Sequence, residues 1–264
     1  MKTGLPVIFA VVLGLGGSTV GFVLAPAVQL GGVKQTTVLN STDLYPPQRI
    51  GDATLGLQVY RANGCAACHT EQVRQEGVAC DVVLTSAGKN PQAVSNLLAT
   101  LTMTHLTKEA ADTVADQLTA AGGKVETHIV PVGVDLDRGW GVRHSVAEDY
   151  VYDYPVQLGN LRAGPDLANI GVRSPDSNWH LLHLYAPASA VSNSKMPSFK
   201  YLFNLQKVGA SPSPDALSLP SGFAAPAGYE VVPTTEARQL VAYLLSLRAN
   251  QPVYDAPFTP PAKP

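Results

Sequence analysis

The stretch Gly64-Cys65-Ala66-Ala67-Cys68-His69 carries two cysteines three positions apart, followed directly by a histidine. This C-x-x-C-H spacing is typical of the attachment site of c-type haem. Two thiols one helical turn apart can form thioethers to the two vinyl groups, and the histidine can then reach the iron from one face. The motif therefore predicts Cys65, Cys68 and His69 as haem-binding residues, with His69 as an iron ligand.

A zinc half-site and a redox-active dithiol are the alternatives for this motif. Zinc would need more Cys or His residues at finger spacing, and a thioredoxin-type dithiol would need a βαβ context. The chain has only 3 cysteines, and neither pattern surrounds the motif. We therefore expect one covalently bound haem c.

Composition excludes two broad classes of protein. Charged residues make up 14% of the 264 residues and apolar residues 45%, which excludes a disordered, self-repelling chain. The 18 Lys and Arg against 20 Asp and Glu give a net charge of -2, with no basic surplus to neutralise phosphates. We expect no nucleic-acid partner.

The N-terminus predicts a membrane segment, because no charged residue or histidine occurs between Lys2 and Lys34. The apolar run from Leu5 to about Val28 is long enough to cross a bilayer. A cleaved signal ending near Ala25-Pro26-Ala27 is the alternative, although the run is longer than a signal core. In both cases the following residues are expected on the periplasmic side of the inner (cytoplasmic) membrane.

Two amphipathic patterns flank the motif. Asp52 to Ala62 has Leu55, Val59 and Ala62 at helical spacing and Asp52 as a possible N-cap. Behind Pro233 and a threonine cap, Thr235 to Leu247 has one stripe formed by Leu240, Val241, Leu244 and Leu245. Two such helices can pack against each other and seal one haem edge.

A low-spin haem needs a sixth ligand, for which methionine and histidine are candidates. The candidates are Met103, Met196, His105, His128, His144, His180 and His183. Met196 is favoured because Pro197 stiffens its loop and biases it to extended geometry. A loop can bring sulfur over a haem face more easily than a packed helix can.

These residues resemble the membrane-anchored mono-haem cytochrome c subunit (subunit II) of cbb3-type cytochrome c oxidases. The matching stretches are Val59-Tyr60-Arg61 with Gly64-Cys65, Cys68-His69-Thr70-Glu71-Gln72-Val73-Arg74, Val151-Tyr152-Asp153-Tyr154-Pro155, Arg162-Ala163-Gly164-Pro165-Asp166-Leu167, and Trp179-His180 with His183-Leu184, Asn193 and Met196-Pro197. The resemblance implies a class I cytochrome c-like domain with Met196 as distal ligand. It also implies that the carbonyl of Pro165 accepts a hydrogen bond from the His69 ring.

Two further residues have open roles. By resemblance Trp179 contacts the haem or its propionates, whereas a core aromatic is the alternative. The fork of Arg162 suits a propionate carboxylate, but a solvated arginine fits the sequence equally.

The chain departs from the resemblance between Arg74 and Arg138, where about 60 residues intervene. A small α/β module is predicted here. Apolar residues alternate over 78–84 as in a strand, a helix starts at Asn90-Pro91, a second helical pattern covers 108–121, and 125–134 is strand-like again. Asp81 to Asn90 and Ala120 to Glu126 resemble the C-terminal domain of the bacterial ribosomal stalk protein. Only a fold used for packing or docking is inferred from that resemblance. Cys80 shares the parity of Val78 and Val82, which favours a buried thiol.

The predicted organisation is mainly α: an anchor (1–34), a stalk (35–50), a cytochrome c domain (51–75 and 137–250), an inserted α/β module (76–136) and an extended Pro-rich tail (251–264). Residues 209–228 are predicted to be a surface loop.

The resulting functional hypothesis is an electron-transfer subunit, itself without an oxygen-reducing site. It would receive electrons from a donor protein and pass them to the catalytic subunit of a cbb3-type haem-copper oxidase, alongside its other cytochrome subunits. A small cytochrome subunit of nitric oxide reductase and a stand-alone anchored cytochrome are alternatives. A haem sensor or a docking and assembly protein is an alternative from another class.

Overall fold

An apolar helix opens the computed structural model, which describes residues 4–38 and 42–252. The helix runs through α1 (Gly4–Thr19), a π-helical turn (Val20–Leu24) and α2 (Ala25–Gly31). Pro26 accounts for the wide turn, because proline lacks an N–H and its ring clashes with the carbonyl one turn earlier. With 28 residues, the segment spans about 42 Å, more than the roughly 30 Å of a hydrocarbon layer. A membrane span and a signal sequence both fit this length and composition.

The chain divides into two units, of which the first comprises 1–48 and 146–156. Here β1 (Thr36–Thr37) pairs antiparallel with β2 (Leu44–Tyr45). The hydroxyl of Tyr45 donates to Asp149 at 2.8 Å, and that of Tyr152 donates to the carbonyl of Val33 at 3.3 Å. The predicted stalk therefore contains a short hairpin, while its residues 39–41 lie outside the described residues.

The second unit comprises 49–145 and 157–264. Its helices are α3 (Asp52–Ala62), α4 (Pro91–Leu98), α5 (Lys108–Ala120), α6 (Val134–Asp137), α7 (Ile170–Arg173), α8 (Ser177–Tyr185), α9 (Pro187–Ala190) and α10 (Thr235–Ser246). Its strands are β3 (Gly77–Ser86), β4 (Lys124–Val132), β5 (Phe203–Lys207) and β6 (Tyr229–Pro233). Helices thus predominate over small two-stranded antiparallel sheets in the described part of the chain.

Helices α3 and α10 pack against each other, as expected, but through a different face of α3. The buried residues of α3 are Gly56 and Tyr60, whereas Leu55 is 44% exposed. A Cβ on Gly56 would lie 1.9 Å from the carbonyl oxygen of Gln239, so only glycine permits this crossing. Of the predicted stripe, Val59 is half-buried and packs against the core, whereas Leu55 and Ala62 are exposed.

The helix start of α3 also differs from the prediction. Gly51 occupies the N-cap with a φ of 59°, and Asp52 is the first helical residue. At this position its carboxylate interacts favourably with the positive end of the helix dipole and does not cap an N–H group. The stripe of α10 is confirmed for Leu240, Val241 and Leu244, which are buried, and Thr234 caps this helix by accepting from the N–H of Ala237.

The inserted module has the predicted elements. Strands β3 and β4 pair antiparallel, from Gly77 opposite Val132 to Ser86 opposite Lys124, with α4 and α5 between them in sequence. Asn90 and Thr107 cap the two helices through their side chains. A separate apolar core is formed by Val82, Val94, Ala111, Val114 and Leu118. Cys80 is only half-buried at the margin of this core, so the prediction of a buried thiol is confirmed in part.

The region after residue 202 contains a hairpin that the sequence did not predict. Strands β5 and β6 pair antiparallel and flank the Pro- and Ser-rich loop. The buried carboxylate of Glu230 holds that loop by accepting from the N–H of Ser213 at 2.8 Å. Of the predicted extended tail, residues 253–264 lie outside the described residues.

Candidate functional site

The C-x-x-C-H motif forms a tight turn at the end of α3. Gly64, with a φ of 68°, lets the chain leave the helix in the left-handed region. A 3₁₀ turn (Cys65–Ala67) follows, and the N–H groups of Cys68 and His69 both donate to the carbonyl of Cys65. Cys65 is half-buried and Cys68 is exposed. The turn thus presents the two thiols and the imidazole from one short segment.

The ring of His69 is held in one orientation by a second segment of chain. Its Nδ1 donates to the carbonyl oxygen of Pro165 at 2.8 Å, which is the expected bond. The N–H of Gly164 donates to the carbonyl of Cys68 at 2.8 Å. A Cβ on Gly164 would lie 2.3 Å from Cε1 of His69, so this backbone lies directly against the imidazole. Because Nδ1 is engaged, Nε2 is the ring nitrogen that could bind a metal.

Electrostatics favour the form of His69 that binds a metal. Burial lowers the pKa of His69, an effect that the Pro165 carbonyl and the charge of Asp166 partly oppose. The neutral imidazole is therefore the stable form at neutral pH. Nδ1 donation to a carbonyl fixes the tautomer and raises the basicity of the ligating nitrogen.

A fully buried carboxylate behind Pro165 braces the segment that holds His69. Asp166 accepts from the hydroxyl of Thr70 at 2.5 Å and from the N–H of Gln72 at 2.9 Å. The N–H of Leu167 donates to the carbonyl of Thr70 at 2.7 Å. The stretches 68–72 and 164–167 are thereby bonded side by side. Thr70 and Asp166 lie in stretches that carry the resemblance, and no spacing pattern predicts their contact.

Arg162 is engaged with the protein. Its guanidinium binds the carboxylate of Asp135 through two contacts of 2.7 and 2.8 Å, and its Nε donates to Thr70 at 2.9 Å. It also lies over the ring of Trp140, 5.1 Å from the centroid. Arg162 thus ties α6 to the segment after the haem motif, and its contact with a propionate stays a prediction.

A second buried carboxylate, Glu71, lies just beyond the motif. The hydroxyl of Tyr243 on α10 donates to both of its oxygens at 2.8 Å. Burial raises the pKa of Tyr243 and of Tyr60, and the charge of Glu71 raises both further. Glu71 therefore anchors the motif to the helix pair. No spacing signal in the sequence predicted this contact.

Helix α8 and the loop after α9 carry the remaining residues predicted for the site, Trp179 and Met196. Met196 is half-buried and packs against the main core, as do Cys65, Trp179 and Phe199. The N–H of Phe199 donates to the carbonyl of Leu184 and ties this loop to α8. Met196 and Cys65 therefore border one apolar core, which suits a distal ligand.

Most other candidates for the sixth ligand are engaged elsewhere. Met103 packs in the core of the module, which also carries His105 and His128. His144 is bonded to Gln75, and Nε2 of His180 lies 2.8 Å from the carbonyl of Ser174. The buried Nδ1 of His183 has no hydrogen-bonding partner among the described residues.

Trp179 packs face to face on His183, with ring centroids 5.0 Å apart and an interplanar angle of 6°. It also meets the edge of the His180 ring at 5.0 Å. Its half-buried ring packs against the main core, which fits the core-aromatic role. Contact with a haem stays a prediction for this residue.

The donor set fits a haem better than the two alternatives. Burial raises the pKa of the Cys65 thiol to about 12, whereas a redox dithiol needs a lowered pKa. In the described part of the chain, no three His, Cys, Asp or Glu residues come together as a metal site. A single oriented imidazole beside two thiols on one turn matches haem c.

Comparison with known proteins agrees with this chemistry. A family model described as "Cytochrome C oxidase, mono-heme subunit/FixO" matches residues 127–226. The match includes Arg162, Pro165, Trp179 and Met196, but it covers less than half of the chain and begins well after the C-x-x-C-H motif. No curated protein matches the chain significantly. Residues 127–226 are thus similar to a mono-haem oxidase subunit, and the motif is assigned by its own spacing and geometry.

Proposed function

We propose that this chain is the membrane-anchored electron-transfer subunit of a cbb3-type terminal oxidase, carrying one haem c bound through Cys65, Cys68 and His69. The observation that carries the proposal is the fixed imidazole of His69, bonded to Pro165 and packed on Gly164. The similarity of residues 127–226 to mono-haem oxidase subunits supports the choice of partner.

Each residue of the site has a distinct task in this function. Cys65 and Cys68 would attach the haem covalently, His69 would bind its iron through a ring nitrogen, and Met196 would bind the iron through its sulfur. Haem iron accepts and releases one electron, and the protein sets its potential and position. The Pro165 carbonyl increases electron donation by His69, which favours the ferric state, whereas a thioether ligand favours the ferrous state.

Covalent attachment is the first test. The full chain, matured in a host that attaches c-type haem, should keep its haem after denaturation. Cys65→Ala and Cys68→Ala should lose or weaken this attachment, because each removes one thioether. Cys80→Ala is the matched control, since Cys80 belongs to the inserted module, and it should retain the haem. Haem that denaturation releases from the unmodified chain would contradict the proposal.

The second test addresses the partner. A reduced-minus-oxidised spectrum of the protein purified in mild detergent from its own membranes should show b-type bands beside the c-type band. Such bands would mean that the chain travels with an oxidase-like core. A c-type band alone would favour a stand-alone anchored cytochrome.

The third test addresses Met196. Met196→Ala should lower the haem potential and open a coordination site that binds carbon monoxide, because the thioether is lost. The unmodified protein should not bind carbon monoxide readily. Ready binding by the unmodified protein would favour a haem sensor, and an unchanged spectrum and potential in Met196→Ala would exclude Met196 as ligand.

A further inference from the structure

His183 carries a buried ring nitrogen that nothing in the described part of the protein satisfies. Its Nδ1 is buried and has no hydrogen-bonding partner there. Buried polar atoms are nearly always paired, so an exception in a native protein points to a missing ligand, ion or water. The ring itself is fixed, because it stacks on Trp179 with an interplanar angle of 6°.

The position of His183 connects this unpaired atom to the candidate haem site. Trp179, its stacking partner, packs against the same core that Cys65 and Met196 border. Burial lowers the pKa of His183, and the charges of His180 and then His69 lower it further. His183 is therefore within electrostatic reach of the proximal histidine.

Two other candidate polar groups have partners within the protein. Nε2 of His180, the residue after Trp179, forms a hydrogen bond with the carbonyl of Ser174. Arg162, the residue predicted to meet a propionate, forms its two short contacts with Asp135. Of these groups, His183 is the one with a buried nitrogen available for an acceptor that is absent from the protein itself.

We propose that Nδ1–H of His183 donates a hydrogen bond to a propionate of the haem, and that Trp179 positions the imidazole for this contact. The inference rests on the proposed function, because it requires a haem held by His69. Propionates are the anionic groups of haem, and a hydrogen bond to a carboxylate is stronger than one between neutral groups. A donor to the propionate weakens the negative charge that the iron experiences, so its removal stabilises the ferric form and lowers the potential.

Three substitutions of His183 separate hydrogen bonding from packing. His183→Asn places an amide nitrogen near the position of Nδ1 and keeps a donor there. His183→Phe keeps a ring on Trp179 but removes the donor, and His183→Gln reaches the position of Nε2 instead. His128→Phe is the matched control, because His128 is exposed on β4 of the module.

The measurements use the full chain in detergent: the propionate bending band in resonance Raman spectra, the midpoint potential and the amount of covalent haem. We expect a shifted band and a lower potential in His183→Phe and His183→Gln, and values near the unmodified protein in His183→Asn and His128→Phe. An unchanged band and potential in both His183→Phe and His183→Gln, with covalent haem retained, would overturn this inference alone. Loss of the low-spin spectrum in both would instead identify His183 as an axial ligand and also overturn it. Absence of covalent haem from the unmodified chain would overturn the proposed function together with the inference.

Discussion

Replacing Gly164 with alanine tests whether close backbone contact holds the proximal histidine. The new Cβ would lie 2.3 Å from Cε1, 2.7 Å from Nδ1 and 3.0 Å from Nε2 of His69. Ordinary contact needs about 3.4 Å or more, so the ring or the segment must move by roughly 1 Å. The segment cannot move freely, because the N–H of Gly164 is bonded to Cys68 and the carbonyl of Pro165 to His69.

The expected cost of Gly164→Ala has two parts. Overpacking costs about 1–3 kcal/mol, and losing the His69–Pro165 hydrogen bond costs about 0.5–1.5 kcal/mol. The free energy of unfolding should therefore fall by about 2–4 kcal/mol. The haem potential should rise, because His69 loses the carbonyl that increases its electron donation.

Guanidinium unfolding of the full haem-loaded chain, followed at the haem absorption, measures the first effect, and a redox titration measures the second. Gly222→Ala is the matched control, since a Cβ there meets nothing within 4 Å. Equal behaviour of Gly164→Ala and Gly222→Ala in both measurements would show that the backbone of Gly164 does not hold His69.

Three further predictions follow from other parts of the structure. Asp135→Ala should lower the free energy of unfolding by about 3 kcal/mol, because it leaves the guanidinium of Arg162 without its main carboxylate partner. Arg238→Ala breaks an exposed pair with Asp215 and should lower it by less than about 1 kcal/mol. Equal losses of the two variants in denaturant titrations would contradict this difference. Burial lowers the pKa of His180 and of His183, so the unfolded chain binds more protons than the native one as the pH falls below about 6.5. The free energy of unfolding should thus decrease from pH 7 to pH 5, less steeply in His180→Gln, and a rise over this range would contradict the assignment. Residues 78–131 can be replaced by a short linker, because Gly77 and Val132 are opposite each other in the β3–β4 register and Asp135 is kept. This deletion should leave the haem spectrum unchanged. A lost c-type spectrum would show that the module supports the haem site.

Local patterns predicted the inserted module well. The helix start at Asn90-Pro91, the helical pattern over 108–121 and the alternating apolar residues each act within a few residues of the chain. The elements therefore follow from neighbours in sequence. The stripe on α3 is correct for Val59 only, and the reason is different. Gly56 and Tyr60 are buried because α10 crosses there at close range, which depends on a partner far along the chain.

The same distinction applies to the candidate site. Cys65, Cys68 and His69 are recognisable because haem attachment needs a fixed short spacing. Glu71, Asp135 and Asp166 have no such signal, although each is buried. Glu71 is bonded to Tyr243 on α10, and Asp135 and Asp166 are bonded to Arg74 and Thr70, just after the motif. Their partners come from distant segments, so only the fold reveals that these acidic residues are structural.

The contact of Gly164 and Pro165 with His69 also concerns the order in which the protein is made. About a hundred residues separate His69 from Pro165, and the inserted module lies between them. Because a chain is synthesised from its N-terminus, the attachment turn exists well before the segment that closes over it. Under the proposed function, the two thiols and His69 would thus be available to a haem-attaching enzyme before the segment that closes over His69 is made.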